Sequence, residues 1–215
     1  MVKLVVLGDV HGEFWSIDSI YEKEKPYAFL QVGDLADQVK GERRFNVGGY
    51  PEHLPCPFYW ILGNHEKLVG NDENPKTYKT VGNPLGFYGS VKIDNYQILG
   101  IGGIDGKRRD VHWGVTGALD KAQDFRFSKK YFGILMTHET CSPFIHTVYK
   151  RELGNPRLTE LCTKKLRPTI HVSGHFHHHD ESVIDGIRHY RLPRSEHGYL
   201  VIEDERIEYR PTPIC

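Results

Sequence analysis

Metal-ligand side chains recur in this sequence directly after short apolar segments. Asp9 and His11 follow an apolar run that ends at Gly8, and Asp34 follows Gly33 at the end of a second run. The same arrangement later in the chain supplies Asn64, His138, His175 and His177. Carboxylates, an amide and imidazoles together suit divalent transition metals, because calcium prefers all-oxygen shells and structural zinc prefers thiolates. These residues predict two divalent metal ions, drawn from manganese, iron, zinc, nickel and cobalt, with manganese favoured.

Two adjacent metal ions would support the hydrolysis of phosphate esters. Cations ~3.5–4 Å apart acidify a shared water and hold both the attacking and the leaving oxygen of an in-line displacement, so a metal-bound hydroxide would attack phosphorus. Asp34 is the candidate bridging ligand, because a carboxylate can bridge two cations and this residue stands alone after the second run. His65 follows a ligand and is expected to overhang the metals as a general acid. Asp37 is the candidate acidic partner that orients it.

The apolar segments before these residues predict buried strands. Each is short and uninterrupted by polar residues, which favours a strand over an amphipathic helix. Side chains just beyond the ends of such strands are held by a rigid core and yet face solvent. Strands are predicted over 4–7, 27–32, 57–62, 131–136 and 169–172, and helices over 13–24, 115–124 and 155–166.

Later strands are joined by hairpins, whereas the early ones alternate with helices. Asp94-Asn95 and Asp185-Gly186 are the turn signals. The hairpin strands are predicted over 87–93 and 96–101, over 183–184 and 187–192, and over 199–202 and 207–209. Together these elements predict an α/β sandwich of two mixed sheets in one domain, 1–215. The polar segments 38–55 and 67–86 are predicted to be loops.

The composition gives no indication of a nucleic-acid-binding, membrane-spanning or disulfide-rich protein. The chain of 215 residues carries 28 Lys and Arg against 28 Asp and Glu, so its net charge gives no general attraction to nucleic acid or to membranes. No apolar run approaches the ~20 residues needed to span a bilayer. The four cysteines have no paired spacing and are interpreted as reduced thiols, and the first residues enter a strand directly, so we expect a cytoplasmic protein. Histidines outside the motifs, including His171 and His189, are interpreted as core or surface residues.

Each motif also has a simpler interpretation. Asp9 and His11 could cap the following helix, Asn64 could be a turn residue, and the histidine tract that begins at His175 could be a surface cluster. Recurrence after five strands favours metal ligation instead. Arg43 and Arg108 are candidate phosphate-binding residues, although basic runs of this kind are commonly exposed loops.

The motifs together resemble those of the calcineurin-like metallophosphoesterase family. They occur in the family's order, from residue 8 to 177, as Gly8-Asp9-Val10-His11-Gly12, Gly33-Asp34-Leu35-Ala36-Asp37, Gly63-Asn64-His65-Glu66, Thr137-His138 and Gly174-His175-Phe176-His177. The resemblance implies a four-layer α/β/β/α sandwich with a dinuclear metal site. It also implies one metal on Asp9, His11, Asp34 and His177, and a second on Asp34, Asn64, His138 and His175.

Departures within this family bear on the substrate. Serine/threonine protein phosphatases carry phosphate-clamping arginines where this chain has Gln38 and Leu62, and neither replaces a bidentate guanidinium. The stretches 60–66, 83–93 and 98–104 are similar to the RNA lariat debranching phosphodiesterase, which commonly has Cys where this chain has Asp9. We therefore expect a phosphodiesterase without lariat specificity.

Other functions stay open at this point. A phosphomonoesterase or a dinucleoside polyphosphate hydrolase would use the same ligands, and a non-catalytic protein-interaction scaffold could share the fold. The scaffold hypothesis predicts lost ligands, yet every motif position is filled. The expected partner is a phosphoester, with nucleotides and nucleic acids among the open classes, and no membrane. The sequence gives no indication of oligomeric state.

Overall fold

The computed structural model of this chain describes residues 2–36, 54, 56–66, 82–104, 115–146 and 151–213. The strands are β1 (Lys3–Leu7), β2 (Ala28–Gln31), β3 (Phe58–Ile61), β4 (Asn83–Gly86), β5 (Tyr88–Ile93), β6 (Tyr96–Ile101), β7 (Phe132–Thr137), β8 (Phe144–His146), β9 (Arg151–Leu153), β10 (Ile170–Ser173), β11 (Asp180–Ile184), β12 (Ile187–Arg191), β13 (Gly198–Glu203) and β14 (Arg206–Pro211). The helices are α1 (Trp15–Glu24), α2 (Val115–Ala122) and α3 (Pro156–Glu160), and α3 runs directly into a π-helical turn, Leu161–Leu166.

Two six-stranded sheets carry the fold. The first has the order β14-β13-β1-β2-β3-β4, and the second has the order β11-β12-β10-β7-β6-β5. In the first sheet β1 to β4 run parallel, β13 pairs antiparallel with β1, and β14 pairs antiparallel with β13. In the second sheet β12, β10, β7 and β6 are parallel while β11 and β5 are antiparallel. Both sheets are therefore mixed, which confirms the predicted fold class.

Side chains that alternate along a strand place the two sheets and the helices in layers. Leu4 and Val6 of β1 point into the core between the two sheets, where they meet residues such as Ile134 of β7. Val5 of β1 points the other way and packs with Ile17 of α1. Because successive side chains of a strand face opposite sides, one apolar strand lines two cores.

A third core lies on the outer face of the second sheet. Leu99 of β6 and Leu135 of β7 pack there against Leu119 of α2 and Leu161 of the π-helical turn. Each fully buried side chain of this kind contributes about 1.5–3 kcal/mol to folding. With α1 outside the first sheet and α2, α3 and the π-helical turn outside the second, the layers are α/β/β/α.

Three elements differ from the sequence prediction. Strand β4 lies inside the segment that was predicted to be a loop, where the Asn83-Pro84 pair favours a turn locally; an edge strand tolerates a proline that cannot donate a ladder hydrogen bond. The predicted helix 155–166 changes from α to π geometry at Leu161. The β8–β9 hairpin was not predicted.

The parallel strands bring five loops to one edge of the sandwich. β1, β2 and β3 end at this edge in the first sheet, and β7 and β10 end there in the second. Backbone N–H groups of Val10 and His11 both donate to the carbonyl oxygen of Asp34 at 2.9 Å, which joins the first two loops. Among the helices in the described ranges, none combines the length and the apolar composition needed to cross a lipid bilayer.

Candidate metal centre

The structure brings the seven predicted ligands together at this edge. A first group consists of Asp9, His11 and His177, whose ligand atoms all lie within 4.8 Å of one another. His177 Nε2 is 2.8 Å from Asp9 Oδ2 and 3.0 Å from His11 Nε2. These residues come from the loops after β1 and β10, so the group spans both sheets.

A second group lies deeper in the molecule. Its members Asp34, His138 and His175 also have ligand atoms within 4.8 Å of one another. His138 Nε2 is 3.4 Å from Asp34 Oδ2 and 2.8 Å from Asn64 Oδ1. Asn64 therefore joins this group through His138, and the four residues come from the loops after β2, β3, β7 and β10.

Asp34 lies between the two groups. Its Oδ2 atom is 3.4 Å from His138 Nε2 in the second group and 3.9 Å from His11 Nε2 in the first. Its Oδ1 atom accepts a hydrogen bond of 2.8 Å from the backbone N–H of His65, which fixes the orientation of the carboxylate. One carboxylate thus faces both sets of imidazoles.

The backbone at this edge is held in an uncommon conformation. His11, Asp34, His175 and His177 all have positive φ, between 50° and 72°. Such geometry costs on the order of 1–3 kcal/mol per non-glycine residue and concentrates at functional sites. On an extended backbone, the alternating positions of His175 and His177 would point both side chains to one side, but the backbone here is not extended. Both are left-handed residues after β10 has ended, and it is the turn that aims their rings at the two groups.

Two glycines allow the loops to approach closely. A Cβ atom at Gly63 would overlap Asp34 Oδ1, and a Cβ atom at Gly174 would overlap Asp9 Oδ1. Any other residue at either position would push a carboxylate out of its group. Space alone therefore requires glycine at positions 63 and 174.

Buried charges shape the electrostatics of the second group. Burial lowers the pKa of His138, but the Asp34 and Asp9 carboxylates outweigh burial and raise that pKa to about 10. Burial lowers the pKa of His175 to about 4. Nδ1–H of His138 donates to the carbonyl oxygen of Val32 at 2.9 Å, which turns Nε2 towards Asp34. The carboxylates that raise the pKa of His138 make the potential here negative, and this potential favours a bound cation next to the oriented Nε2 atom.

Two buried polar residues brace the loops and were given no role from the sequence. The Glu66 carboxylate accepts hydrogen bonds from the backbone N–H groups of Gly63 at 2.5 Å, Asp34 at 3.1 Å and Ala36 at 3.2 Å. Burial raises its pKa to about 8. Gln31 donates to the carbonyl oxygen of Gly8 at 3.2 Å and accepts from the Gly33 N–H at 3.1 Å. For Gln31 the sequence did offer a signal, because it is a polar residue at the end of the otherwise apolar strand β2.

His65 lies beside the two groups at the surface. Its side chain is 43% exposed, and its Nε2 atom is 3.9 Å from Asp34 Oδ2. Its ring meets that of His11 edge-on, with 4.7 Å between the centroids. The predicted partner Asp37 and the predicted phosphate-binding residues Arg43 and Arg108 lie outside the described residues.

Comparison with known proteins agrees with this architecture. The model of the calcineurin-like phosphoesterase family matches residues 2–179. No curated protein sequence matches the chain.

Solved structures share the fold at low sequence identity. A dimetal phosphatase from Danio rerio is 11% identical with a TM-score of 0.62, over 98% of this chain and 96% of that one. An archaeal phosphodiesterase is 14% identical with a TM-score of 0.54, over 97% and 98%. A purple acid phosphatase from yellow lupin seeds is 13% identical with a TM-score of 0.63, over 98% of this chain and 51% of that one. The family match covers most of the sequence, and the chain therefore belongs to the calcineurin-like phosphoesterases, which makes it a metal-dependent phosphoric ester hydrolase.

Proposed function

We propose that this chain hydrolyses phosphodiesters at a centre of two divalent metal ions, the dinuclear centre. Asp9, His11, Asp34 and His177 would hold one ion, and Asp34, Asn64, His138 and His175 the other. The observation that carries the proposal is the position of Asp34, whose Oδ2 atom is 3.4 Å from His138 Nε2 and 3.9 Å from His11 Nε2. A bridging ligand has to face both halves of a site in this way.

The chemistry of the donors fits two divalent transition metals. Carboxylate, amide and imidazole ligands suit manganese, iron, cobalt, nickel and zinc alike, and we propose manganese as the resident metal. When bound, two such ions lower the pKa of a shared water and neutralise the charge of a phosphoester. Asp9 is fully buried, and its carboxylate accepts the backbone N–H of His175 at 3.1 Å, so it is preorganised as a ligand.

His65 is proposed to supply the proton for the leaving oxygen. It is the exposed imidazole beside Asp34, and its Nε2 atom faces the groups from the solvent side. A positioned acid of this kind contributes typically 10²–10⁴-fold to a rate. We propose Asp37 as the carboxylate that orients the ring, and Arg43 and Arg108 as contacts to the phosphoester.

The proposed preference for a diester rests on a missing arginine, because the side chain that would bind a monoester is absent at position 62. Leu62, which stands where protein phosphatases carry an arginine, is 1% exposed and packs in the core beneath α1. A dianionic phosphate monoester gains most from bidentate guanidinium contacts, and Leu62 cannot provide them. The archaeal phosphodiesterase with the same fold agrees with this choice.

Turnover of two simple esters tests the proposal. Manganese-loaded protein should hydrolyse bis-p-nitrophenyl phosphate faster than p-nitrophenyl phosphate, judged by kcat/KM. Clear preference for the monoester would overturn the diester assignment and favour a phosphomonoesterase, the activity named for the Danio rerio structure. A dinucleoside polyphosphate in the same assay tests the remaining hydrolase. Absence of hydrolysis across all three with both metals bound would favour a scaffold.

A further inference from the structure

A row of residues across the second sheet turns from apolar to polar beneath the helix layer. Leu99 of β6 is paired in register with Leu135 of β7, Leu135 with His171 of β10, and His171 with His189 of β12. Leu99 and Leu135 belong to the core formed with α2 and the π-helical turn. The two imidazoles therefore lie on the same face, inside an interface that is otherwise apolar.

Two cysteines reach this pair of histidines from the helix side. Cys141 follows the loop after β7, and Cys162 is the second residue of the π-helical turn. Each of the two thiols and His171 is 0% exposed, and His189 is 1% exposed. The Cys141 thiol lies close enough to the Cys162 thiol and to both imidazoles for all three to affect its pKa. We name Cys141, Cys162, His171 and His189 the thiol–imidazole cluster.

The donor atoms of this cluster point towards one another. The ligand atoms of Cys141, Cys162 and His189 all lie within 4.8 Å of one another. His171 directs its Nδ1 atom at His189 Nδ1, 2.8 Å away, while its Nε2 atom is 2.7 Å from the hydroxyl of Thr137. A hydrogen bond from the far nitrogen of a histidine is how proteins orient imidazole ligands.

Burial makes this arrangement unusual for a plain core. Imidazoles in an apolar interface lose their hydration, and each ring nitrogen then requires a partner. The Nε2 atom of His189 is buried and has no hydrogen-bond partner among the described residues. The hydrogen bond with Cys162 and the neighbouring His171 lower the pKa of the Cys141 thiol, whereas the pKa of Cys162 is raised.

We propose that the thiol–imidazole cluster is a structural metal site of the Cys₂His₂ type that takes zinc. Zinc prefers thiolate and imidazole ligands in a closed tetrahedron, with Zn–S at about 2.3 Å and Zn–N at about 2.0–2.1 Å. These bond lengths separate the donor atoms by about 3.3–3.8 Å. Binding would draw together the Cys141, Cys162 and His189 donors, which lie within 4.8 Å of one another, and would turn His171 Nδ1 from His189 to the metal. Binding displaces one proton from each thiol, so Zn²⁺ and two thiolates bury no net charge.

Such an ion would link the π-helical turn to β10 and β12 of the second sheet, close in sequence to two loops of the dinuclear centre. Cys141 lies three residues after His138, and His171 lies four residues before His175. Cys162 adds the π-helical turn, a geometry found frequently at functional sites. The zinc site would thus support two ligand loops without facing the reaction, and it does not depend on which phosphoester is hydrolysed.

Cobalt substitution of the full chain tests the proposal. The dinuclear centre offers cobalt only oxygen and nitrogen ligands, so an intense thiolate-to-cobalt absorption in the near ultraviolet reports the thiol–imidazole cluster alone. We expect this absorption in the wild type, with three cobalt ions bound per chain. Cys162→Ser should lose the absorption and one ion. Cys56→Ser, which changes a half-buried thiol outside the cluster, should keep both.

A second measurement needs no variant and covers the case in which Cys162→Ser fails to fold. X-ray absorption of the zinc-loaded wild type should show sulfur neighbours at about 2.3 Å. Nitrogen and oxygen neighbours alone, or no thiolate absorption with excess cobalt, would overturn the proposal. A mass lower by two hydrogens that is restored by reductant, with peptide mapping that places the link between Cys141 and Cys162, would also overturn it, because these thiols would then form a disulfide.

Discussion

Within the part of the chain that the structure describes, two histidine clusters share strands β7 and β10 and differ in burial and in the other side chains that they contain. The cluster at the sheet edge combines imidazoles with Asp9, Asp34 and Asn64, and its His177 side chain is 41% exposed. The thiol–imidazole cluster has no carboxylate, lies in the middle of the second sheet and is shielded by helices. Open positions suit catalytic metals and closed shells suit structural ones. Under the two proposals, histidine would serve a catalytic centre where it follows the end of a strand and a structural site where it lies within a strand.

The largest expected effect comes from Asp34→Asn. An amide cannot bridge two cations as a carboxylate does, and the variant also loses a negative charge next to His138. Phosphodiester turnover should fall to the uncatalysed background, and elemental analysis should show loss of the edge metals.

The comparison of the two clusters predicts that this loss is selective. The thiolate-to-cobalt absorption should survive in Asp34→Asn, because Asp34 lies outside the thiol–imidazole cluster. Asp120→Asn, a change at an exposed carboxylate paired with Arg157, serves as the control and should leave both metal sites intact. Retained activity in Asp34→Asn would contradict the bridging role.

His65→Ala should reduce turnover about 10²–10⁴-fold while both edge metals stay bound. The side chain is 43% exposed and is proposed to donate a proton without coordinating metal. Turnover and metal content measured on the same sample separate these roles. His197→Ala changes another exposed histidine and should behave as wild type. If His65→Ala loses metal as Asp34→Asn does, His65 is a ligand and the edge cluster is larger than proposed.

The proximity of the edge residues could be predicted because a local rule governs it. Parallel strands end at a common edge, so a polar residue after an apolar run, such as Asp34, is expected near others of the same kind. The direction in which each imidazole ring points could not be predicted from the sequence. His175 and His177 depend on left-handed backbone conformations, and no pattern in the sequence indicates these.

The thiol–imidazole cluster could not be found in the same way. His171 and His189 are 18 residues apart and meet only through the register of β10 with β12. Cys162 then depends on the change from α to π geometry, which no periodicity indicates. Glu66 is similar, because its role lies in three backbone N–H groups that the fold brings to it. Long-range pairing, not residue type, creates these contacts.

Cys162→Ser should affect stability more than chemistry. Zinc that binds only the folded state stabilises it, and the variant loses this stabilisation together with the ligand. We therefore expect the free energy of unfolding to fall by about 2–3 kcal/mol. Turnover in the folded variant should change by less than about tenfold, or 1.4 kcal/mol. Urea unfolding at fixed zinc concentration, followed with Cys56→Ser alongside, measures this. A loss of turnover equal to that of His65→Ala would show that the two clusters are not independent.

Glu66→Gln should have the smallest effect and tests whether bracing of the edge is mechanical. Gln has nearly the same shape, but its NH₂ group cannot accept a hydrogen bond, so at least one of the three backbone donors at Gly63, Asp34 and Ala36 loses its acceptor. One unsatisfied buried N–H costs about 1–2 kcal/mol, measurable by urea unfolding against the exposed control Glu181→Gln.

Metal content should stay at the wild-type level, because Glu66 touches the backbone of the ligand loops and not the metals. The edge cluster relies on hydrogen bonds, whereas the thiol–imidazole cluster is proposed to rely on zinc. Added chelator should therefore abolish the stability difference between Cys162→Ser and Cys56→Ser, because only Cys56→Ser still has zinc to lose at the cluster. It should leave the difference between Glu66→Gln and its control unchanged. If chelator also removed the difference between Glu66→Gln and its control, the effect of Glu66 would act through the edge metals, and these metals, too, would stabilise the fold.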